Sequence, residues 1–156
     1  MEFEMINKNS TKAEVVKAVK QDWIYLQYAS EALRGDKELV LKAVQQGAGA
    51  LKYASAELRG DRDLVLVAVK KRGVVLKYAS EELRGNREVA LEAVKQSGWA
   101  LEFASEALRG DRDVVLVAVK RHGCALQYAS EELRNDDDVV MAAMQQNCFA
   151  LGHAYE

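Results

Sequence analysis

Proline is missing altogether from the 156 residues, and cysteine and histidine occur only twice each. Without proline no position forbids an α-helix on backbone grounds, which suits a mostly helical chain. Two cysteines, Cys124 and Cys148, are too few for a disulfide scaffold, so a reduced, cytoplasmic protein is the expectation. No apolar run nears the length of a membrane span. The opening Met1-Glu2-Phe3-Glu4-Met5-Ile6 lacks the basic and apolar regions of a secretory leader. Neither sign of charge prevails: the formal net charge is −2 and the pI lies near 5.8. That excludes a global basic field and disfavours nucleic acid or an anionic membrane as partner. Also missing are a glycine-rich phosphate loop, paired carboxylates in an apolar setting and a Ser-His-Asp set standing apart from the periodic residues. No catalytic residue and no cofactor is expected.

What the chain has is a period. Tyr28, Tyr53, Tyr78, Phe103 and Tyr128 stand 25 residues apart, each before Ala-Ser, and His153 falls on the next beat. A fixed period of a few tens of residues is the signature of stacked units, each too small to fold alone. The predicted fold is all-α: an α-solenoid of about six two-helix units in a rod or shallow superhelix. The units are 11–35, 36–60, 61–85, 86–110, 111–135 and a partial 136–156, preceded by an N-terminal cap or poorly ordered segment over 1–10.

Positions within a unit are numbered from Asp36, Asp61, Asn86, Asp111 and Asp136 as position 1. Asp or Asn there is a strong helix N-cap, and Glu38, Asp63, Glu88 and Asp113 add favourable charge to the first turn. Thr11 with Glu14 forms a capping box, which starts the first helix near Lys12. The first helix of each unit covers positions 2–11, with apolar residues at 4, 5, 6, 8 and 9 such as Val114, Val115, Leu116, Ala118 and Val119. So wide an apolar arc must touch neighbours on both sides. Gly73, Gly98 and Gly123 are read as its C-caps, with Gly47 one position early. The second half of a unit admits two readings. Leu126, Ala129 and Leu133 share the face of a single helix, or the chain breaks at Ser130, which caps a short turn over Glu131–Arg134.

The string Ala125-Leu126-x-Tyr128-Ala129-Ser130-Glu131-Glu132-Leu133-Arg134, repeated in tandem, resembles the short helical repeats of domain-of-unknown-function family 4116. More distantly it is similar to leucine-rich-variant and HEAT-type solenoids. The resemblance runs from about residue 11 to 154. It brings no activity or catalytic residue; it implies an interaction module, often one piece of a larger protein. The first unit departs from the pattern with Trp23 at the glycine position, and the last with Cys148, His153 and Tyr155.

Candidate chemistry is weighed against structural roles. The tripeptides Arg34-Gly35-Asp36, Arg59-Gly60-Asp61 and Arg109-Gly110-Asp111 read as helix terminator plus next cap rather than as adhesion signals. The ladder Arg34, Arg59, Arg84, Arg109 and Arg134 is expected to form ion pairs between units. His122, Cys124, Cys148 and His153 are the chain's whole stock of histidine and cysteine; they are an alternative zinc set, but their spacing is no recognised motif. Cys124, at position 14, reads as a small core residue, and position 18 as pointing inward.

Positions 7, 11, 12, 14 and 17 vary between units while the framework repeats. Positions 7 and 11, placed opposite the core arc and leading into 12, form one edge of the stack. Its residues Val67, Lys71, Arg72, Glu92, Trp99, Val117, Arg121 and His122 are the candidate partner surface. The expected function is a non-enzymatic protein- or peptide-binding scaffold. Alternatives are a self-associating array joined end to end through the C-terminal partial unit, or a fragment of a longer repeat protein. A repeat-coded RNA binder ranks last, since it needs a basic face with stacking aromatics.

Overall fold

The computed structural model describes residues 5–146. In chain order α1 (Lys12–Gln21) leads through η1 (Trp23–Tyr28) to α2 (Glu31–Arg34), then α3 (Lys37–Gln46), η2 (Ala48–Tyr53) and α4 (Ala56–Arg59). The pattern continues with α5 (Arg62–Lys71), η3 (Gly73–Tyr78), α6 (Glu81–Arg84), α7 (Arg87–Gln96), η4 (Gly98–Phe103) and α8 (Glu106–Arg109). It closes with α9 (Arg112–Arg121), η5 (Gly123–Tyr128), α10 (Glu131–Arg134) and α11 (Asp137–Met144). The η segments are 3₁₀-helices, and no strand occurs among the described residues. The protein is all-α and built from tandem repeats.

The long helices begin and end where local chemistry puts them. Thr11 and Glu14 complete the capping box, and Asp36, Asp61, Asn86, Asp111 and Asp136 each accept from a backbone amide of the first turn. Position 12 then turns extended (φ −151° at Arg72, −144° at His122), which stops the α-helix.

The second half is not one helix. It breaks at serine: Ser80 Oγ accepts from the Leu83 amide at 3.3 Å, and Ser30, Ser55, Ser105 and Ser130 cap likewise. The half-unit before the break is a six-residue 3₁₀-helix, so a unit holds three segments rather than two helices. At three residues per turn, positions 13, 16 and 19 fall in one column. Gly98, Leu101 and Ala104 show that column buried.

Each long helix packs on the long helices of the units before and after it and on the 3₁₀ segment of the unit before. The core is a column of small and branched residues: Leu39, Val40, Ala43 and Val44 in α3, and their equivalents in α5, α7 and α9, are buried to within 1%. Leu26, Leu51, Leu76 and Leu101 add the 3₁₀ contribution at 2% exposure or less. Backbone hydrogen bonds tie the units together as well. The amides of Ser55, Ser80, Ser105 and Ser130 donate to the carbonyls of Arg34, Arg59, Arg84 and Arg109 at 2.9–3.0 Å.

Gly73 and Gly98 are not C-caps. They open the 3₁₀-helices, and neither takes a left-handed backbone. What excludes a side chain is the next unit: a Cβ would lie 2.1 Å from the Ala93 carbonyl oxygen at Gly73, and 2.3 Å from that of Ala118 at Gly98. Gly85, by contrast, does close a helix; a Cβ there would stand 3.4 Å from the Glu82 carbonyl oxygen of its own helix and 3.7 Å from Ser105 of the next unit. Asn135 fills the equivalent place without difficulty.

Gly73→Ala should therefore cost about 1–3 kcal/mol, because backbone must move to admit it. Gly85→Ala should stay within about 0.5 kcal/mol of the parent. Urea denaturation of the two variants checks the contrast, and equal losses would contradict the assigned roles.

Candidate functional site

On a 3₁₀-helix of this register positions 14 and 17 form one column, and it is the outward one; position 15 is buried at Ala50, Val75, Ala100 and Ala125, and position 18 is half-buried at Tyr53, Tyr78, Phe103 and Tyr128. Ile24 is 39% exposed, Trp99 36% and Tyr28 51%, and Lys52, Lys77 and Cys124 are also exposed. The reading of Cys124 as a core residue is thus corrected, whereas position 18 packs against the core at Tyr53, Tyr78, Phe103 and Tyr128 and is exposed at Tyr28. The Cys124 reading assumed 100° of rotation per residue where the chain turns 120°.

One pocket stands out on this face. It has a volume of about 230 Å³ and lies across the first three units, lined by Trp23, Gly49, Lys52, Tyr53, Arg72, Val74, Val75, Lys77 and Tyr78. Three cations and three aromatic rings line it, and no carboxylate does. Its origin is in the sequence. Position 14 of the second unit is Gly49, where other units carry Ile24, Val74, Trp99 or Cys124. Position 13 is Ala48 rather than glycine, and α3 and α5 pack less closely than α5 and α7. Trp23 supplies a wall: its ring occupies the space of any side chain on Gly47 or Gly49, within 2.2 Å and 2.8 Å of the respective Cβ positions. The same ring sits 6.2 Å from Tyr53. Lys52 Nζ lies 5.6 Å from the Tyr53 ring, and Lys77 Nζ lies 4.9 Å from Tyr78 and 5.9 Å from Phe103. These are distances at which ammonium and ring attract each other.

Two units further on the equivalent space is filled from within. Trp99 lies 5.7 Å from His122 and 6.3 Å, edge-on at 77°, from Tyr128. Burial is the main cause that raises the Tyr128 hydroxyl above its ordinary pKa, with the Glu102 carboxylate adding to it.

The remaining candidate residues divide. Lys71, Arg72 and Arg121 are exposed near the ends of α5 and α9, Arg72 on the pocket wall. Val67 and Val117 are half-buried against the core rather than opposite it. At 100° per residue position 7 is only about 60° round the helix from the buried position 4. Glu92 is held by Lys95 at 2.8 Å, and that hydrogen bond lowers its pKa. His122 accepts the Gly98 amide on Nδ1 at 3.0 Å, which binds one unit to the next. Cys124 is not a free thiol, against the expectation of reduced cysteines, and Cys148 and His153 lie outside the described residues. Among the described residues no three of His, Cys, Asp and Glu are placed to share a metal ion.

The opposite edge, at the N-termini of the long helices, is saturated by its own charges. Lys12 reaches Asp36 at 2.6 Å, Lys37 reaches Asp61 at 2.6 Å, Arg87 reaches Asp111 and Asp113 at 2.8 Å, and Arg112 reaches Asp138 at 2.7 Å; Arg62 pairs with Glu88. These position-2 residues make the ion pairs expected of the Arg34 ladder. The ladder's Nε atoms are buried without a hydrogen-bond partner among the described residues. The Arg87 hydrogen bond, with help from the Val114 amide, holds the Asp111 carboxyl below its usual value.

A family model described as Domain of unknown function (DUF4116) matches residues 15–59, 61–109 and 111–156. The chain belongs to that family. Each stretch matched to the DUF4116 model spans two of the 25-residue units, so Gly49 and Trp99 hold the same place in successive DUF4116 modules. No curated protein and no solved structure matched the chain. No helix among the described residues is long and apolar enough to cross a membrane.

Asp111 caps and pairs at once, and Asn86 shows that an amide can cap alone. Because the folded pKa of Asp111 lies below its unfolded value, the pairing stabilises above about pH 4 and is lost as pH falls through the folded value. Asp111→Asn should therefore cost less than about 1 kcal/mol at pH 7 and should flatten the acid limb of stability. Denaturation midpoints measured from pH 7 down to pH 2 read both effects; an unchanged acid limb would contradict the pairing.

Proposed function

We propose that the chain is a non-enzymatic peptide-binding scaffold: an α-solenoid of about six units that meets its partner along the 3₁₀ face. The observation that carries this reading is the pocket over Gly49 and Arg72, built at positions 12, 14 and 17, which change from unit to unit while packing positions repeat. A surface that varies on a constant frame is what repeat proteins use for recognition. The ladder of Ser amides onto Arg carbonyls, present at four junctions among the described residues, supports the stacked arrangement. The N-terminal edge pairs its own charges, whereas the 3₁₀ face carries Lys52, Arg72 and Lys77 beside open rings with no salt bridge to any of the three among the described residues.

Panning a random peptide library on the immobilised chain tests the proposal. Enriched peptides should lose at least about tenfold in affinity on Arg72→Glu, as for a residue at the centre of an interface. The exposed Glu132 on α10 serves as control, and Glu132→Lys should change nothing. No enrichment, or equal losses from both variants, would sink the reading.

A second reading, self-association through α11, is favoured by Met141 at 60% and Met144 at 44% exposure. It expects a sedimentation coefficient that rises with concentration and falls back on Met144→Glu. A monomer at every concentration would count against it.

A further inference from the structure

We infer that the pocket receives an aromatic side chain of a partner peptide with carboxylates on either side of it. The inference rests on the scaffold reading and adds the chemistry of the occupant.

The first argument is internal to the molecule. In the fourth unit the position-14 side chain is Trp99, seated 5.7 Å from His122 at position 12 of the next unit and edge-on to Tyr128 at position 18. In the second unit position 14 is Gly49, and the corresponding neighbours in the next unit are Arg72 and Tyr78, both on the pocket wall. The receiving surfaces correspond, but in the second unit the ring over Gly49 is Trp23 of the unit before, and a pocket stays open between it and Arg72 and Tyr78. An aromatic group from a partner, entering the pocket in front of the Trp23 ring, would stack on the Arg72 guanidinium and present its edge to Tyr78. Both contacts are favourable for a ring and indifferent to an aliphatic chain. Trp23 and Tyr53 close the other side.

Charge supplies the second argument. Lys52, Arg72 and Lys77 line the pocket without a carboxylate among the lining residues, and none of the three is in a salt bridge among the described residues. Acidic residues beside the ring would meet them. The positive stretch is short, since the next unit puts Glu102 where Lys52 and Lys77 stand. A long polyanion tracked by its phosphates needs cations that continue along the groove. A short acidic peptide does not, and this decides between the two. Size agrees: about 230 Å³ is below the range of small-molecule sites and suits one large anchoring side chain.

The test is fluorescence anisotropy on the full chain with four labelled probes. The parent is the capped peptide Gly-Glu-Asp-Trp-Glu-Asp-Gly; the others have Ala for Trp, Lys for every acid, or are a single-stranded oligouridylate. The parent should bind, and the Ala and Lys versions should bind at least about tenfold more weakly, as on loss of an interface anchor. Arg72→Glu should weaken the parent by a similar factor while Glu132→Lys leaves it unchanged. Gly49→Val, whose Cβ would stand 2.8 Å from the Trp23 ring, should also block the pocket. Arg72 is at the surface, so its variant decides if Gly49→Val fails to fold. Equal binding of the Trp and Ala peptides, no effect of Arg72→Glu, no binding of the parent, or binding of the oligouridylate alone would each overturn the inference. If library panning still enriches peptides lacking acids and rings, the scaffold reading survives that failure; if panning enriches nothing, both fall.

Discussion

One backbone contact, repeated at four successive junctions among the described residues, governs this molecule: the amide of a serine in one unit donates to the carbonyl of an arginine in the unit before. No element in a unit is long enough to persist alone. Ten residues of α-helix, six of 3₁₀ and a single turn fall below the length at which isolated helices are stable in water. Stability must come from neighbours, and neighbours help only if they stay in register. The serine amide fixes that register on one side of the 3₁₀ segment. The bare glycine backbone at Gly73 and Gly98, pressed on the carbonyls of Ala93 and Ala118, fixes it on the other. A slip of one residue would break the hydrogen bond and drive a Cβ into a carbonyl oxygen. Small residues in the buried columns are therefore a requirement of spacing as well as of hydrophobicity.

What could be read from the sequence follows from how local each cause is. The Thr11–Glu14 box and the aspartate caps act within one turn, so the long helices were legible nearly to the residue. The break at Ser130 stayed open because Leu126, Ala129 and Leu133 satisfy a helical face while a serine followed by acids satisfies a cap. Nothing within one unit separates them. The 3₁₀ segment hid for a related reason: Gly98, Leu101 and Ala104 are three apart, which an α-helix also tolerates. That error turned position 14 inward. Gly47 does cap α3, but Gly73, Gly98 and Gly123 open 3₁₀-helices: helix termination and close approach both ask for a missing side chain, and at Gly73 and Gly98 only the neighbouring carbonyl distinguishes them.

The pocket left a trace in the sequence that comparing units as mere variation passes over. Trp23 stands where later units have glycine, and in the next unit the residues on either side of that position, Gly47 and Gly49, are both glycine. A large side chain gained in one unit matches two lost in the following one. Read as a pair across a junction, the three residues specify a ring lying over bare backbone, which is what the structure contains.

Charge is distributed by the same logic. On the N-terminal edge a capping side chain must be present at each helix, and where it is Asp36, Asp61, Asp111 or Asp136 the cation of the preceding unit finds it, so capping and pairing consume the same carboxylate. On the 3₁₀ face no structural duty asks for Lys52, Arg72 or Lys77; other units place Gln27, Asp22, His122 or Glu102 at the same positions and keep the fold. Positions 13, 16 and 19 are fixed by what the next unit's backbone will admit, whereas 12, 14 and 17 face outward. A stack of identical units would present an identical surface at every layer and could not single out one place to bind. The outward column is where this chain can differ from itself at little cost in stability, and Gly49 is the residue by which one junction differs most.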